Sequence, residues 1–121
     1  MDTQKWKEAY TLDARIRLRK EGRVVYGSGI ARLLALTDQL KSLHGAAGQM
    51  GMPYRKALSI VRRAEEELGR PLLERSIGGA GGGGSRLTPF GLWLSGNFQA
   101  FEAEVNQYVE QLKDKYFNEG D

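Results

Sequence analysis

The sequence contains no cysteine and a single histidine, His44. Without cysteine the chain cannot form disulfides, thiolate metal sites or a thiol nucleophile. One histidine also excludes a metal site built from several imidazoles, so we expect neither a metal nor a cofactor. No carboxylate pair, Cys–His pair or metal-ligand set has a spacing that suits catalysis, and we therefore expect that the protein is not an enzyme.

Long apolar runs are missing as well. No stretch approaches the ~20 residues that cross a bilayer. The first 22 residues lack the apolar segment of a signal peptide. We expect a soluble, cytoplasmic protein with no membrane partner. With 121 residues, of which 40 % are hydrophobic, the chain is long enough for one domain with a modest core.

The charge is unevenly distributed along the chain. Residues 102–121 carry six acidic and two basic side chains, a net charge of −4, which leaves +7 for the first 101 residues of an overall +3. A basic body beside an acidic tail favours a polyanionic partner for the body, although many soluble domains share this pattern.

The order of local patterns predicts a mainly α fold with a small β component (α+β). Residues 14–27 alternate around the turn Glu21-Gly22, as a β-hairpin does, with Arg15, Arg17, Arg19 and Arg23 on its polar face. An amphipathic helix capped by Ser28 follows. A short helix, a turn, a second helix, two strands and a long helix then complete a winged helix-turn-helix. We assign 1–12 to an N-terminal arm, 13–88 to this domain and 89–121 to a long dimerisation helix with a polar tail.

Two small residues mark the helix-turn-helix itself. Its first helix is crossed closely by the second, so a small residue is needed at the crossing, and a glycine four residues later makes the turn. Ala47 and Gly51 satisfy both requirements. Pro53 suits the first turn of the second helix, which is expected to end near Leu68, before Gly69. His44, at the entrance to the first helix, is interpreted as a turn residue or a neighbour of a phosphate.

The second helix has one apolar and one basic face. At 100° per residue, Ala57, Val61 and Ala64 share the inner face. The outer face and its flanks supply the candidate DNA contacts, which are Tyr54, Arg55, Lys56, Ser59, Arg62 and Arg63. Arginine can bond a guanine edge bidentately and serine can bond either type of base, whereas lysine and the later arginines suit phosphates. The alternative is a solvated charged face.

The glycine run between the two strands is the predicted wing. Six of the seven residues 78–84 are glycine, and glycine lets backbone N–H groups approach phosphates closely. The candidate wing contacts are Arg75, Ser76, Gly79, Gly81, Gly82, Gly83, Ser85 and Arg86. A disordered linker is the alternative. The match to G-x-G-x-x-G carries no weight, because the run joins two strands and opens no helix.

The long helix from Pro89 carries a regular apolar stripe. Its members, the candidate dimerisation residues, are Phe98, Phe101, Val105, Tyr108 and Leu112. Their spacing is close to a heptad seam, which favours burial against a partner helix. Folding back onto the same chain is the alternative. Trp93, nearer the start of the helix, is expected in the core.

Taken together, the segments ARIRLRKEGRVVYGSG, MGMPYRKAL and LGRPLLERSIGGAGGGGSRLTPFG resemble the DNA-binding domain of the ModE family, the molybdate-responsive transcriptional regulators. A looser similarity extends to LysR-type regulators. The resemblance covers about residues 14–112. It implies a bacterial, homodimeric transcription factor that binds double-stranded DNA, with recognition positions at Tyr54, Arg55, Lys56 and Ser59 and a wing at 78–84.

One departure from the family pattern bears on function. Full ModE regulators continue into molybdate-binding modules, for which a chain ending at Asp121 has no room. We therefore expect a single-domain member, or a fragment of a longer regulator, that does not itself bind molybdate. The alternative function is a winged-helix protein-interaction module, or a regulatory accessory, that does not contact DNA.

Overall fold

A computed structural model describes residues 9–76 and 84–117. Its elements are, in chain order, β1 (Arg17–Lys20), β2 (Arg23–Gly27), α1 (Ser28–Leu40), α2 (Leu43–Gln49), α3 (Tyr54–Leu68), β3 (Leu73–Ser76), β4 (Gly84–Leu87) and α4 (Pro89–Tyr116). The strands form two separate antiparallel pairs, β1–β2 and β3–β4. This arrangement is the predicted winged helix-turn-helix with a long last helix.

The first hairpin turns where the sequence predicted, but its faces differ from the expected alternation. Glu21 and Gly22 both have positive φ, at 51° and 81°, as a two-residue hairpin loop requires. The register shifts after Leu18, which pairs with Tyr26, whereas Arg19 pairs with Val24. Val25 is the extra residue, and this bulge buries both Val25 and Tyr26. Leu18 and Val24 remain exposed.

The core lies where α1, α2 and α3 meet. Its members are mostly small or aliphatic: Ile30, Ala31, Leu33, Leu34, Leu43, Ala46, Ala47, Ala57, Val61, Ala64, Leu72 and Leu87. Alanine at the closest approaches lets the helices pack tightly. Tyr26 closes one side of this core and meets Phe98 of α4 edge to face, with ring centroids 5.0 Å apart.

Two helix starts differ from expectation by one residue. Gly27 is the N-cap of α1 and makes no side-chain cap. The predicted cap, Ser28, is already helical, and its hydroxyl donates to the Glu102 carboxylate at 3.2 Å. Pro53 is the N-cap of α3 with extended backbone, so its fixed φ sets the entry to the helix from outside it. At the other end Gly69 has φ 73° and terminates α3 as predicted.

The N-terminal segment is bound along one face of α4. The Asn106 amide accepts from Ala14 N–H at 2.8 Å and donates to Ala14 C=O at 3.1 Å. Glu102 accepts from Ile16 N–H at 3.1 Å, and the buried Lys113 ammonium donates to Tyr10 C=O at 2.7 Å. Side chains of the helix thereby bond the backbone of a segment that pairs with no strand among the described residues.

Candidate nucleic-acid interface

The turn between α2 and α3 has the geometry of a helix-turn-helix. Ala47 is 1 % exposed, and Gly51 adopts φ 68°. The Met52 N–H donates to Ala47 C=O at 3.0 Å, which closes the turn onto α2. Ser42 caps α2 by accepting from Gly45 N–H at 2.9 Å. The two requirements that identified this motif in the sequence are therefore both met.

The faces of α3 are those predicted from its helical wheel. Ala57, Val61 and Ala64 are buried, whereas the basic and hydroxyl side chains Arg55, Lys56, Ser59, Arg62 and Arg63 are exposed. Within the described part of the chain, none of these four cations forms a salt bridge or hydrogen bond. Their charge is available to a polyanion.

The acidic end of α3 has a structural role that the sequence did not reveal. Glu65 accepts from the backbone N–H groups of Leu72 and Leu73, at 2.7 and 3.2 Å, and so attaches β3 to the helix. Glu67 pairs with Arg23 at 3.0 Å, and its C=O accepts from Lys20 at 3.0 Å. No local sequence signal indicates these long-range partners. They bind two elements to the C-terminal end of α3.

The wing strands pair in register, with Leu73 opposite Leu87 and Ser76 opposite Gly84. Of the predicted wing contacts, Gly79, Gly81, Gly82 and Gly83 lie outside the described residues. Arg75 is exposed at the base of the wing. Arg86 is instead paired across the strands with Glu74, at 2.7 Å. Ser85 is bound to α1, because its N–H donates to Lys41 C=O at 3.0 Å.

A cleft of about 160 Å³ separates α3 from the base of the wing. Its lining brings together four predicted contact residues, which are Tyr54, Arg62, Arg75 and Ser85. The outer face of α3 and the base of the wing therefore border one cleft, which Glu65 and Glu74 line as well.

Two aromatic side chains meet at the starts of the two motif helices. The His44 imidazole stacks on the Tyr54 ring, with centroids 5.3 Å apart and planes inclined by 23°. His44 is exposed and Tyr54 is half-buried. Spacing along the chain could not reveal this pair, because the turn brings residues ten positions apart together.

The predicted dimerisation stripe on α4 separates into two groups. Phe98 is 8 % exposed and packs inside its own chain against Tyr26, which agrees with the alternative of folding back. Phe101 and Tyr108 are each 59 % exposed, and Val105 and Leu112 are half-buried beside them. Trp93 was expected in the core but is 62 % exposed, where it stacks on Phe90.

Two negative findings apply to the described ranges 9–76 and 84–117. No helix there is long and apolar enough to cross a membrane. The same residues contain no group of three or more histidine, aspartate or glutamate side chains placed to hold a metal ion.

Comparison with known proteins agrees with this geometry. Residues 31–92 match the model of the bacterial regulatory helix-turn-helix proteins of the lysR family. This segment runs from α1, through the helix-turn-helix and the wing, to the first turn of α4.

Three curated relatives carry names that refer to molybdenum. The molybdenum-pterin-binding protein MopB of Rhodobacter capsulatus is 34 % identical over 87 residues, which cover 72 % of this chain and 32 % of MopB. MopA of the same organism is 29 % identical over 102 residues, which cover 84 % of this chain and 38 % of MopA. The molybdenum transport protein ModE of Azotobacter vinelandii is 27 % identical over 84 residues, covering 69 % and 31 %. The chain thus spans about a third of the length of these relatives, and the resemblance to a ModE-type DNA-binding domain is confirmed.

Proposed function

Because the chain belongs to the lysR family of bacterial regulatory helix-turn-helix proteins, we propose that it is a sequence-specific transcriptional regulator of the ModE type that binds double-stranded DNA as a homodimer. Each protomer inserts α3 into the major groove, N-terminus first, and lays its wing beside the phosphate backbone. We infer that the regulated genes serve molybdenum metabolism, a proposal supported by the names of the relatives.

The observation that carries this proposal is the exposed, unpaired basic face of α3. Four cations project from one helix, none has a protein partner among the described residues, and a serine lies between them. Neutralising phosphates with such cations releases condensed counterions, which supplies affinity that falls steeply with salt. Of the three acidic residues that follow, Glu65 is engaged with β3 and Glu67 with the first hairpin, so only Glu66 lies beside the cations of this face.

The contact residues divide by chemistry into two roles. Arg55 and Ser59, near the N-terminal half of α3, read base edges, and Arg62, Arg63 and Lys56 bind phosphates. Arg75 and the wing glycines bind the backbone alongside. Arg86 supports the wing through its pair with Glu74 and contacts DNA only after that pair opens.

The test begins with selection of bound duplexes from a random library, which should return a two-fold palindrome. Fluorescence anisotropy then compares variants on the selected duplex and on a scrambled one. Arg55→Ala should remove about 1–3 kcal/mol of discrimination between the two. Arg62→Ala should weaken binding to both duplexes alike and lower the slope of log K against log salt by about 1.

Arg70→Ala is the matched control, because Arg70 lies over the Phe90 ring, beyond the C-terminal end of α3. It removes one positive charge without touching the basic face and should leave discrimination unchanged. Absence of salt-dependent binding of the wild-type protein to any duplex would overturn the proposal and favour the winged-helix interaction module.

A further inference from the structure

The stack of His44 on Tyr54 lies at the edge of the fold. His44 is exposed, whereas Tyr54 is half-buried and packs against the core that contains Ala46, Ala47 and Ala57. Within the described residues, neither the imidazole nor the Tyr54 hydroxyl has a hydrogen-bond partner. An exposed imidazole whose two ring nitrogens have no partner among the described residues therefore stacks on a half-buried ring.

The location of the stack points to the nucleic acid. In a helix-turn-helix the first helix crosses the DNA backbone, and the N-terminal residues of the second contact base edges. His44 is the second residue of α2, and Tyr54 is the first residue of α3. The pair thus joins the two helical segments that approach a phosphate and a base edge, respectively. Tyr54 also lines the cleft shared by Arg62 and Arg75.

We propose that His44 is a positioning residue for DNA recognition that also binds a phosphate. Its ring holds the Tyr54 ring at the mouth of the cleft, and one of its ring N–H groups donates to a phosphate oxygen of the strand that α2 crosses. This inference rests on the proposed DNA-binding function. Without the stack, the outer face of the Tyr54 ring would lose its neighbour, and the ring would be less well ordered in the free protein, so binding would have to order it.

Two substitutions separate the two roles. His44→Phe keeps an aromatic ring against Tyr54 but removes both ring nitrogens, so it should weaken binding to the selected and scrambled duplexes alike by roughly two- to tenfold, as expected for one hydrogen bond, and leave sequence discrimination intact. His44→Ala removes the stack as well, and should additionally reduce discrimination between selected and scrambled duplexes by roughly two- to tenfold, as expected for an aromatic pair. Gln49→Ala, at the exposed far end of α2, should change neither quantity.

A double-mutant cycle tests the positioning role directly. If His44 acts through Tyr54, His44→Ala should reduce discrimination in the wild-type background and leave it unchanged in a Tyr54→Ala background. Thermal unfolding of each variant shows whether the fold is retained, because an effect on the fold alone would lower the melting temperature without changing the affinity of the folded protein for DNA.

The outcomes are distinct. If the wild-type protein binds DNA and the His44→Ala variant binds it with the same affinity and discrimination, this inference is overturned and the proposed function stands. Equal losses of discrimination in the His44→Phe and His44→Ala variants, or additive effects in the cycle, would show that the stack does not position Tyr54. Failure of the wild-type protein to bind any duplex would remove the proposed function and, with it, this role of His44.

Discussion

Gly91 lies where the first turn of α4 crosses the backbone that leads into β3. A Cβ atom on Gly91 would lie closer to the Leu72 carbonyl oxygen than two non-bonded atoms can approach. That oxygen is fixed, because it accepts from Thr88 N–H at 3.0 Å. Thr88 in turn caps α4 by accepting from Gly91 N–H at 2.9 Å. The requirement for glycine here comes from close approach of two backbones.

Gly91→Ala should therefore destabilise the protein by about 1–3 kcal/mol or more, the usual range for overpacking. Gly96→Ala is the matched control in the same helix, because nothing lies within 4 Å of a Cβ at that position. It should raise stability by up to ~1 kcal/mol through helix propensity. Urea unfolding followed by circular dichroism measures both. Equal stabilities of the two variants would contradict the contact with Leu72.

Tyr26 makes stability depend on pH in the alkaline range. Burial raises the pKa of Tyr26 to about 12, although Ser95 beside its hydroxyl lowers that pKa slightly. The hydroxyl forms no hydrogen bond of good geometry with a described residue, so burial is the dominant influence. In the unfolded chain the phenol titrates near its ordinary pKa of ~10.

Above the unfolded pKa the unfolded state binds fewer protons than the folded one, so stability falls as pH rises. The stability that the protonated Tyr26 contributes is complete below pH ~10 and is lost as pH rises towards about 12. The free energy of unfolding should fall by roughly 2–3 kcal/mol over this range, at ~1.4 kcal/mol per pH unit. Tyr26→Phe should be nearly neutral at pH ~7, since it removes an unpaired hydroxyl. Unfolding in urea across this range should show the variant losing less stability than wild type. A constant difference between the two would contradict the assignment.

At the scale of elements, the two ends of α3 have different roles. Residues 54–63 carry the four cations that are unpaired within the described residues, and the acidic residues Glu65 and Glu67 near the C-terminal end bind β3 and the first hairpin. Glu65→Ala leaves the N–H groups of Leu72 and Leu73 without their acceptor, and Leu72 is fully buried. An unsatisfied buried donor costs about 1–3 kcal/mol, so we expect a loss of that size.

Glu66→Ala removes the same charge one residue later, from an exposed side chain without a partner among the described residues. It should change stability by less than about 0.5 kcal/mol. Chemical denaturation of the two alanine variants and of Glu65→Gln, which keeps one acceptor oxygen and should be intermediate, gives the comparison. Equal effects of Glu65→Ala and Glu66→Ala would show that charge, and not the contact with β3, matters.

The elements that the sequence predicted well are those set by local periodicity and steric need. The apolar spacing of α3, the Ala47–Gly51 pair and the terminating Gly69 each act over a single turn, so the chain alone specifies them. Phe98 and Phe101 belong to the same heptad pattern, yet only Phe98 is buried, because the position of α4 against Tyr26 decides between them. The bulge at Val25 and the partners of Glu65 likewise depend on packing between elements distant in sequence.

In the whole molecule, α4 presents two different faces outside the core. One face carries Glu102, Asn106 and Lys113, whose side chains form hydrogen bonds with the backbone of residues 10–16. The exposed aromatics Phe101 and Tyr108 lie to the side of that face, one heptad apart. Since the N-terminal segment already covers the first face, we expect the second protomer of the proposed homodimer to use the aromatic stripe.

The last prediction follows from this division. Replacing Phe101 and Tyr108 together by alanine should leave the protomer folded, because each side chain is 59 % exposed in it, while sedimentation shifts from dimer to monomer. The matched control replaces Gln99 and Gln107, exposed residues of α4 outside the stripe, and should remain dimeric. A symmetric dimer binds two half-sites ~34–36 Å apart, so the aromatic variant should lose affinity for a palindromic duplex yet bind a single half-site as the wild-type protein does. If the aromatic variant sediments as a dimer like the control and keeps its affinity for the palindrome, the protomers associate through another surface, whereas a wild-type protein that sediments as a monomer would contradict the proposed homodimer.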